Sequence, residues 1–338
     1  MSKKVTIYDI ARYLHVTPAT VSYSLNNVSK VSEETRKKVL AAAKELGYSR
    51  DYAATSLSTG KTRLMALFLP FEDISKAFLE NAFYGEFIGG FVKQIKKYDY
   101  DLLVQPMMDE KEILPWLRGR GVDAIAVIGG YPKHFRKAFN TFGKPVVLID
   151  TFDDNCEEYN NVRISDHDGS YLATEYLIKQ GHKHIAFISG NINTSIVDKK
   201  RYEGYKEALE DNGLPFDKDV TYICEISLDD GLKYSKILME KKDVTAVVCA
   251  ADTIAIGIIN GYRNVGKSIP EDLSVVGFDD IVSAKFTVPA LTTVKQDIVE
   301  KGRLAAKLLL DDLRNKEINH KIITLNPELI TRNSVKRI

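Results

Sequence analysis

Four charged residues stand where a bound molecule's polar groups would need partners. Asp150 closes the apolar run PVVLID, Asp279 closes SVVGFD, and Asp252 follows VVCAA. Arg201 opens the amphipathic stretch RYEGYKEAL. Open α/β sheets take ligands in the crevice beyond the carboxyl ends of their strands. Carboxylates and a guanidinium placed there offer paired hydrogen bonds of fixed geometry. Other chemistries are poorly served. The motif GHKH (181–184) has no nearby ligands to complete a four-coordinate metal site. Asp166-His167-Asp168, ahead of GSYLATEYLIKQGH, reads as an acidic helix start and not as an acid–base pair. Gly85, Gly89 and Gly90 lack the G-x-G-x-x-G spacing of a dinucleotide site, and no serine sits in a nucleophile elbow. The expectation is a binding protein with no enzyme activity, no cofactor and no metal.

Positioning these residues falls to an alternation of apolar runs and amphipathic stretches. Runs at 64–69, 102–104, 124–128 and 146–149 form one series, and runs at 185–188, 220–226, 246–249 and 275–278 form a second. Such alternation predicts parallel sheets with helices on both faces. Periodicity alone leaves open whether the units close into one barrel or form two open sheets.

The 338 residues suffice for two or three domains with a sizeable core. No apolar run reaches the roughly 18–20 residues that a membrane span needs. MSKKVTIYDI has no apolar core of a secretory signal. Cys156, Cys224 and Cys249 are odd in number and far apart, which suits a reducing compartment, so a cytoplasmic location is expected. The formal net charge of +1 hides an asymmetry. Residues 1–60 carry nine Lys/Arg against five Asp/Glu, while the remainder carries 38 against 41. A basic head on a slightly acidic body points to a polyanion at one end only.

That head reads as three short helices. Ile7, Ile10, Ala11 and Leu14 form the stripe of the first, with Thr6 as its cap. Thr17 and Pro18 start the second, which carries Val21 and Leu25, and Asn26-Asn27 stops it. Ser32, Glu33 and Glu34 start the third, and Gly47 ends it. Two helices joined by a tight turn and followed by a third make a helix-turn-helix unit.

VTIYDIARYLHVTPATVSYSLNN, followed by VSEETRKKVLAAAKELGY, closely resembles the head of the LacI/GalR transcriptional repressors, without a break from Val5 to Tyr48. The resemblance continues more loosely over essentially the whole chain. It implies an all-α helix-turn-helix head at 1–48, a hinge at 49–61 and an α/β body at 62–338. The body would be two Rossmann-like lobes resembling periplasmic sugar-binding proteins, so the family resolves the question of barrel or open sheets. Lobe 1 would take about 62–161 and 293–324, and lobe 2 about 162–292 and 325–338. A homodimer on double-stranded operator DNA is implied, and the chain shows no leucine-heptad tail of the tetrameric members.

By the same resemblance, Ile7, Tyr8, Thr17, Pro18, Ala19, Ser22, Tyr23, Asn26, Ser32 and Thr35 would meet DNA. Leu57, in a short helix opening at Asp51, would wedge into the minor groove. Arg50 departs from the proline common in the family. Tyr23 replaces an arginine or histidine, so the bidentate guanine contact is lost at that position. In the body, Arg201 and Asp279 match positions that hold the effector, and Phe83 and Tyr84 match positions that touch it in one member. Asp150 and Asp252 complete the expected effector set, with Phe71, Phe78 and Tyr131 as further stacking faces. The implied function is a repressor of a carbohydrate-utilisation operon, released by a sugar or related metabolite. The alternative is a co-repressed or catabolite-control-type regulator.

Overall fold

A computed structural model describes residues 5–25, 29–48, 60–71, 75, 78, 81–131, 134–152, 156–315 and 320–338. Asn26, Leu57, Arg50 and the expected hinge helix lie outside the described residues. The chain divides into two compact units, Met1–Thr62 and Arg63–Ile338.

The first unit holds α1 (Ile7–Leu14), α2 (Pro18–Leu25) and α3 (Glu33–Glu45). Each start has a chemical cause. The Asp9 carboxylate accepts the Thr6 N–H at 2.9 Å, closing the first turn of α1. Thr17 Oγ1 accepts the Thr20 N–H at 3.1 Å, and Pro18 follows with φ already helical. Ser32 Oγ accepts the Thr35 N–H at 3.3 Å. His15, at φ 54°, makes the left-handed exit from α1 that lets α2 cross it. Ile10, Val21 and Val39, one from each helix, have no solvent exposure and form the centre of the head.

The second unit has two six-stranded sheets. The first contains β1 (Leu64–Leu69), β2 (Asp101–Pro106), β3 (Ala124–Ile128), β4 (Val146–Ile149), β5 (Asn160–Ile164) and β11 (Ile322–Leu325), in the order β11-β5-β4-β3-β1-β2. The second contains β6 (Ile185–Ser189), β7 (Thr221–Ile223), β8 (Ala246–Cys249), β9 (Ser274–Asp279), β10 (Thr292–Lys295) and β12 (Glu328–Ile330), in the order β12-β10-β9-β8-β6-β7. The ladders are parallel except β10 with β12. The central strands β3, β4, β6, β8 and β9 are buried along their whole length, which is why they read as unbroken apolar runs.

The chain crosses between sheets three times. β5 pairs with β4 as far as Val162 and with β11 as far as Ile164, so the first crossing lies beyond 161–162. β10 pairs with β9 through Lys295, so residues 293–295 belong to the second lobe and not the first. The third crossing lies between Leu325 and Glu328. β7 is shorter than the run 220–226 suggested, because Ser227 Oγ takes the Asp230 N–H at 3.1 Å and starts a helix there. Among the described residues no helix is long and apolar enough to cross a membrane.

Five helices matter for the site: α4 (Ala82–Ile95), α7 (Asp166–Lys179), α8 (Ile196–Asp211), α10 (Asp252–Asn264) and α11 (Ile298–Asp312); α5 (Glu110–Arg120), α6 (His134–Phe142) and α9 (Leu228–Glu240) complete the layers. α4 and α11 approach at backbone distance. A Cβ on Gly302 would lie 2.2 Å from the Phe87 carbonyl oxygen, so only glycine allows this approach.

Candidate functional site

Between the two lobes of the second unit lies a cavity of about 620 Å³. Strand ends and helix starts from both sheets reach it. Asp150 directly follows β4, Asp279 ends β9, and Arg201 lies on α8 one turn after Asp198. Both strand-end aspartates have left-handed φ values, 54° for Asp150 and 113° for Asp279. Backbone strain of this kind is held only where surrounding contacts over-determine it.

Arg201 is buried at the centre of an ion cluster. Its Nε donates to Asp166 Oδ1 at 2.8 Å, and its Nη2 lies 2.8 Å from the same oxygen. Its Nη1 donates to the Ala250 carbonyl and lies 3.5 Å from Asp279 Oδ1. The guanidinium carbon sits 3.7 Å from the ring centroid of Phe278, a cation–π contact that replaces water on one face. Asp279 also accepts from the Gln296 amide. Burial pushes the carboxyls of Asp166 and Asp279 up to about 6, against the opposing pull of Arg201. Among the described residues, Asp166 Oδ2 has no hydrogen-bond partner.

Asp150 has a different counter-ion. Lys301, from α11, donates to both of its oxygens at 2.7 and 2.8 Å and also to Gln296 Oε1. Gln296 therefore joins the two ion groups: its oxygen faces Lys301 of the first lobe, and its amide nitrogen faces Asp279 of the second. The remaining wall is aromatic. Phe83 and Tyr84 are buried and line the cavity with Phe71 and Tyr131. Burial, and then the charge of Asp150, raises the Tyr84 phenol, so it stays a hydrogen-bond donor at neutral pH.

The structure thus brings Phe83, Tyr84, Asp150, Arg201 and Asp279 to one cavity. Asp252 is a correction. It is fully buried outside the lining, with Oδ2 accepting the Ile281 N–H at 2.9 Å and Oδ1 accepting the Thr293 hydroxyl at 2.5 Å. Those bonds tie β10 and the turn after β9 to α10, and hold the carboxylate in the core away from the cavity. Phe78 is 45% exposed and is not part of the wall. Asp166 starts α7 as expected, and it is also the main partner of Arg201. His182 of GHKH is a buried structural histidine, 2.9 Å from the Thr245 hydroxyl and 3.1 Å from the Lys336 carbonyl.

Sequence reading missed Asp198, Gln296 and Lys301. Asp198 had a usable signal, since it lies three residues before Arg201 on one helix face. Lys301 had none, because a lysine in an amphipathic helix normally belongs to its wet face.

On the head, Tyr8, Thr17, Ala19, Tyr23 and Ser32 are exposed, while Pro18, Ser22 and Thr35 are half-buried. Tyr8 is 63% and Tyr23 37% exposed, and the Lys30 ammonium lies 5.5 Å from the Tyr23 ring centroid. Ile7 packs against the head's core.

Comparison with known proteins agrees with both parts. Residues 6–51 match the model described as bacterial regulatory proteins, lacI family, and residues 174–335 match a periplasmic binding protein-like domain. The chain is 35% identical to the HTH-type transcriptional regulator RegA of Clostridium saccharobutylicum, over 97% of this chain and 98% of that protein. It is 31% identical to catabolite control protein A of Priestia megaterium, over 98% and 99% respectively. Among solved structures, the transcriptional regulator CelR in complex with cellobiose superposes with a TM-score of 0.73 at 27% identity, covering 98% of this chain and all of that one.

Proposed function

The chain belongs to the LacI family of bacterial transcriptional regulators, and on that premise we propose that it represses a carbohydrate-utilisation operon and leaves its operator when a neutral sugar binds between the lobes. One observation carries the sugar reading. Four carboxylates, Asp150, Asp166, Asp198 and Asp279, surround two cations, Arg201 and Lys301, beside an aromatic wall. A surplus of carboxylates repels phosphorylated and acidic metabolites. Carboxylate pairs and aromatic faces suit the hydroxyls and apolar faces of a sugar ring. The cellobiose complex of a similar regulator supports the same class.

The DNA-reading surface is assigned to the exposed side of α2 and the helix starts around it. Tyr8, Thr17, Ser32 and Thr35 hold phosphates, and Pro18, Ala19, Ser22 and Tyr23 face the bases. Ile7 acts by packing, and Asn26 and Leu57 take their roles from the family alone. The working form is a cytoplasmic homodimer. Val282, Phe286 and Val288, exposed at 57%, 72% and 73% in one short segment, offer apolar surface to a second copy. No catalytic role is assigned to any residue.

A second reading is favoured by the likeness to catabolite control protein A: the effector would then strengthen DNA binding. The experiment is a binding-site selection from random duplexes, followed by anisotropy titration of the selected site with neutral sugars, sugar phosphates and purines. Release by a neutral sugar supports repression with induction. Tightening supports the second reading. A response to phosphorylated ligands alone contradicts the neutral-sugar assignment.

A further inference from the structure

We propose that the ligand is a disaccharide, with one ring among Asp150, Arg201 and Asp279 and the other in a side chamber bounded by Asn81, Asn191 and Glu225. This rests on the neutral-sugar reading of the cavity and extends it.

The side chamber has a volume of about 310 Å³ and opens off the main cavity. The two spaces share Phe71, Asn81, Tyr84, Asp198 and Ile226 as walls. A dozen separate water molecules at ~30 Å³ each would fill roughly 360 Å³, and the dozen covalently bonded heavy atoms of a hexose pack more closely and need less. The main cavity exceeds that by itself at about 620 Å³, and its excess leads into the side chamber. A single ring would leave polar wall groups facing unordered water.

The chamber's chemistry matches a second ring. Asp198 stands at the junction and is buried. Its Oδ1 accepts from the Ser189 hydroxyl at 3.0 Å and from the Gly190 N–H at 3.1 Å. These bonds fix the carboxylate, and among the described residues Oδ2 accepts no hydrogen bond, leaving an acceptor at the join between rings. A Cβ on residue 190 would lie 2.6 Å from that oxygen, so glycine keeps it accessible. Asn81 Oδ1 accepts the Phe83 N–H and Asn191 Oδ1 accepts the Asn193 N–H, each at 3.0 Å. Both amides are thereby oriented, with their NH2 groups left as donors. Glu225 supplies an acceptor at the exposed rim, where the second ring meets solvent. Phe71 and Tyr84, edge to face at 5.1 Å, make the apolar wall.

Calorimetry on the full chain tests this with glucose, galactose, maltose, cellobiose and lactose as probes. One disaccharide should bind at least tenfold more tightly than either of its constituent hexoses. Asn191→Ala and Glu225→Ala should each lower that disaccharide-to-hexose affinity ratio several-fold. A variant that is merely misfolded lowers both affinities and leaves the ratio in place. Equal affinity for a hexose and every disaccharide, or an unmoved ratio in both variants, overturns the second-ring assignment while the neutral-sugar reading stands. Binding of a sugar phosphate or purine with none of the five sugars overturns both.

Discussion

The ammonium of Lys301 lies 2.7 and 2.8 Å from the two oxygens of Asp150, and the lysine side chain has no contact with solvent. Removing one partner of such a pair leaves an uncompensated buried charge, which costs about 3–5 kcal/mol. Lys301→Met should therefore destabilise the second unit by that amount in urea denaturation. Adding Asp150→Asn should recover most of the loss, because the orphaned carboxylate is then neutral. Equal stability of Lys301→Met and wild type would show that the pair contributes nothing.

Burial holds the carboxyls of Asp166 and Asp279 above the ordinary carboxylate range, which gives two pH effects of opposite sense. Burial raises both carboxyls to about 6 from the ordinary ~3.9. The folded chain holds these protons more tightly than the unfolded chain does. Their stabilising contribution is fully present below about 4 and is lost as pH rises through about 6. Wild type should thus lose stability relative to Asp279→Asn over that interval, in denaturant titrations at fixed pH. Ligand affinity should run the other way: protonation removes the acceptors, so sugar binding weakens as pH falls from neutrality through about 6. A flat affinity profile across that range would remove both carboxylates from the contact set.

Arg201 engages Asp166 through Nε and Nη2, and the Ala250 carbonyl and Asp279 through Nη1. A lysine has one charged nitrogen and cannot span the three. Arg201→Lys should weaken sugar binding by at least tenfold, or about 1.4 kcal/mol. Operator release, followed by anisotropy, should need correspondingly more sugar. An unchanged dose–response would mean that the guanidinium geometry is irrelevant to the ligand.

Tyr23 is the exposed departure on α2. Tyr23→Arg should introduce a preference for guanine at one position of each half-site, worth about 1–3 kcal/mol against the other bases. Binding-site selection reads this directly. Identical consensus sites for the two proteins would place Tyr23 away from the bases.

The helices of the head were legible because their caps and apolar stripes are local: Thr6, Thr17, Ser32 and Ile10 act within a turn or two of where they stand. The buried strands were legible for the same reason. The short edge strands β11 and β12 were not, because runs of four and three residues are too brief to show a period. In the site, strand-end position alone could not separate Asp150 from Asp252. Both follow apolar runs, yet the chain turns one toward the cavity and the other onto Ile281 and Thr293. The Lys301–Gln296–Asp279 bridge joins residues brought together by the crossing segments, and no local pattern marks it.

The central claim is that occupancy of the interlobe cavity controls DNA affinity. The direct measurement is operator affinity of the full chain, by anisotropy, with and without saturating neutral sugar, for wild type and Asp279→Asn. The account predicts a sugar-dependent fall in affinity of tenfold or more for wild type and a markedly smaller one for the variant at the same sugar concentration. Equal operator affinity with and without a sugar that calorimetry shows to be bound would contradict it.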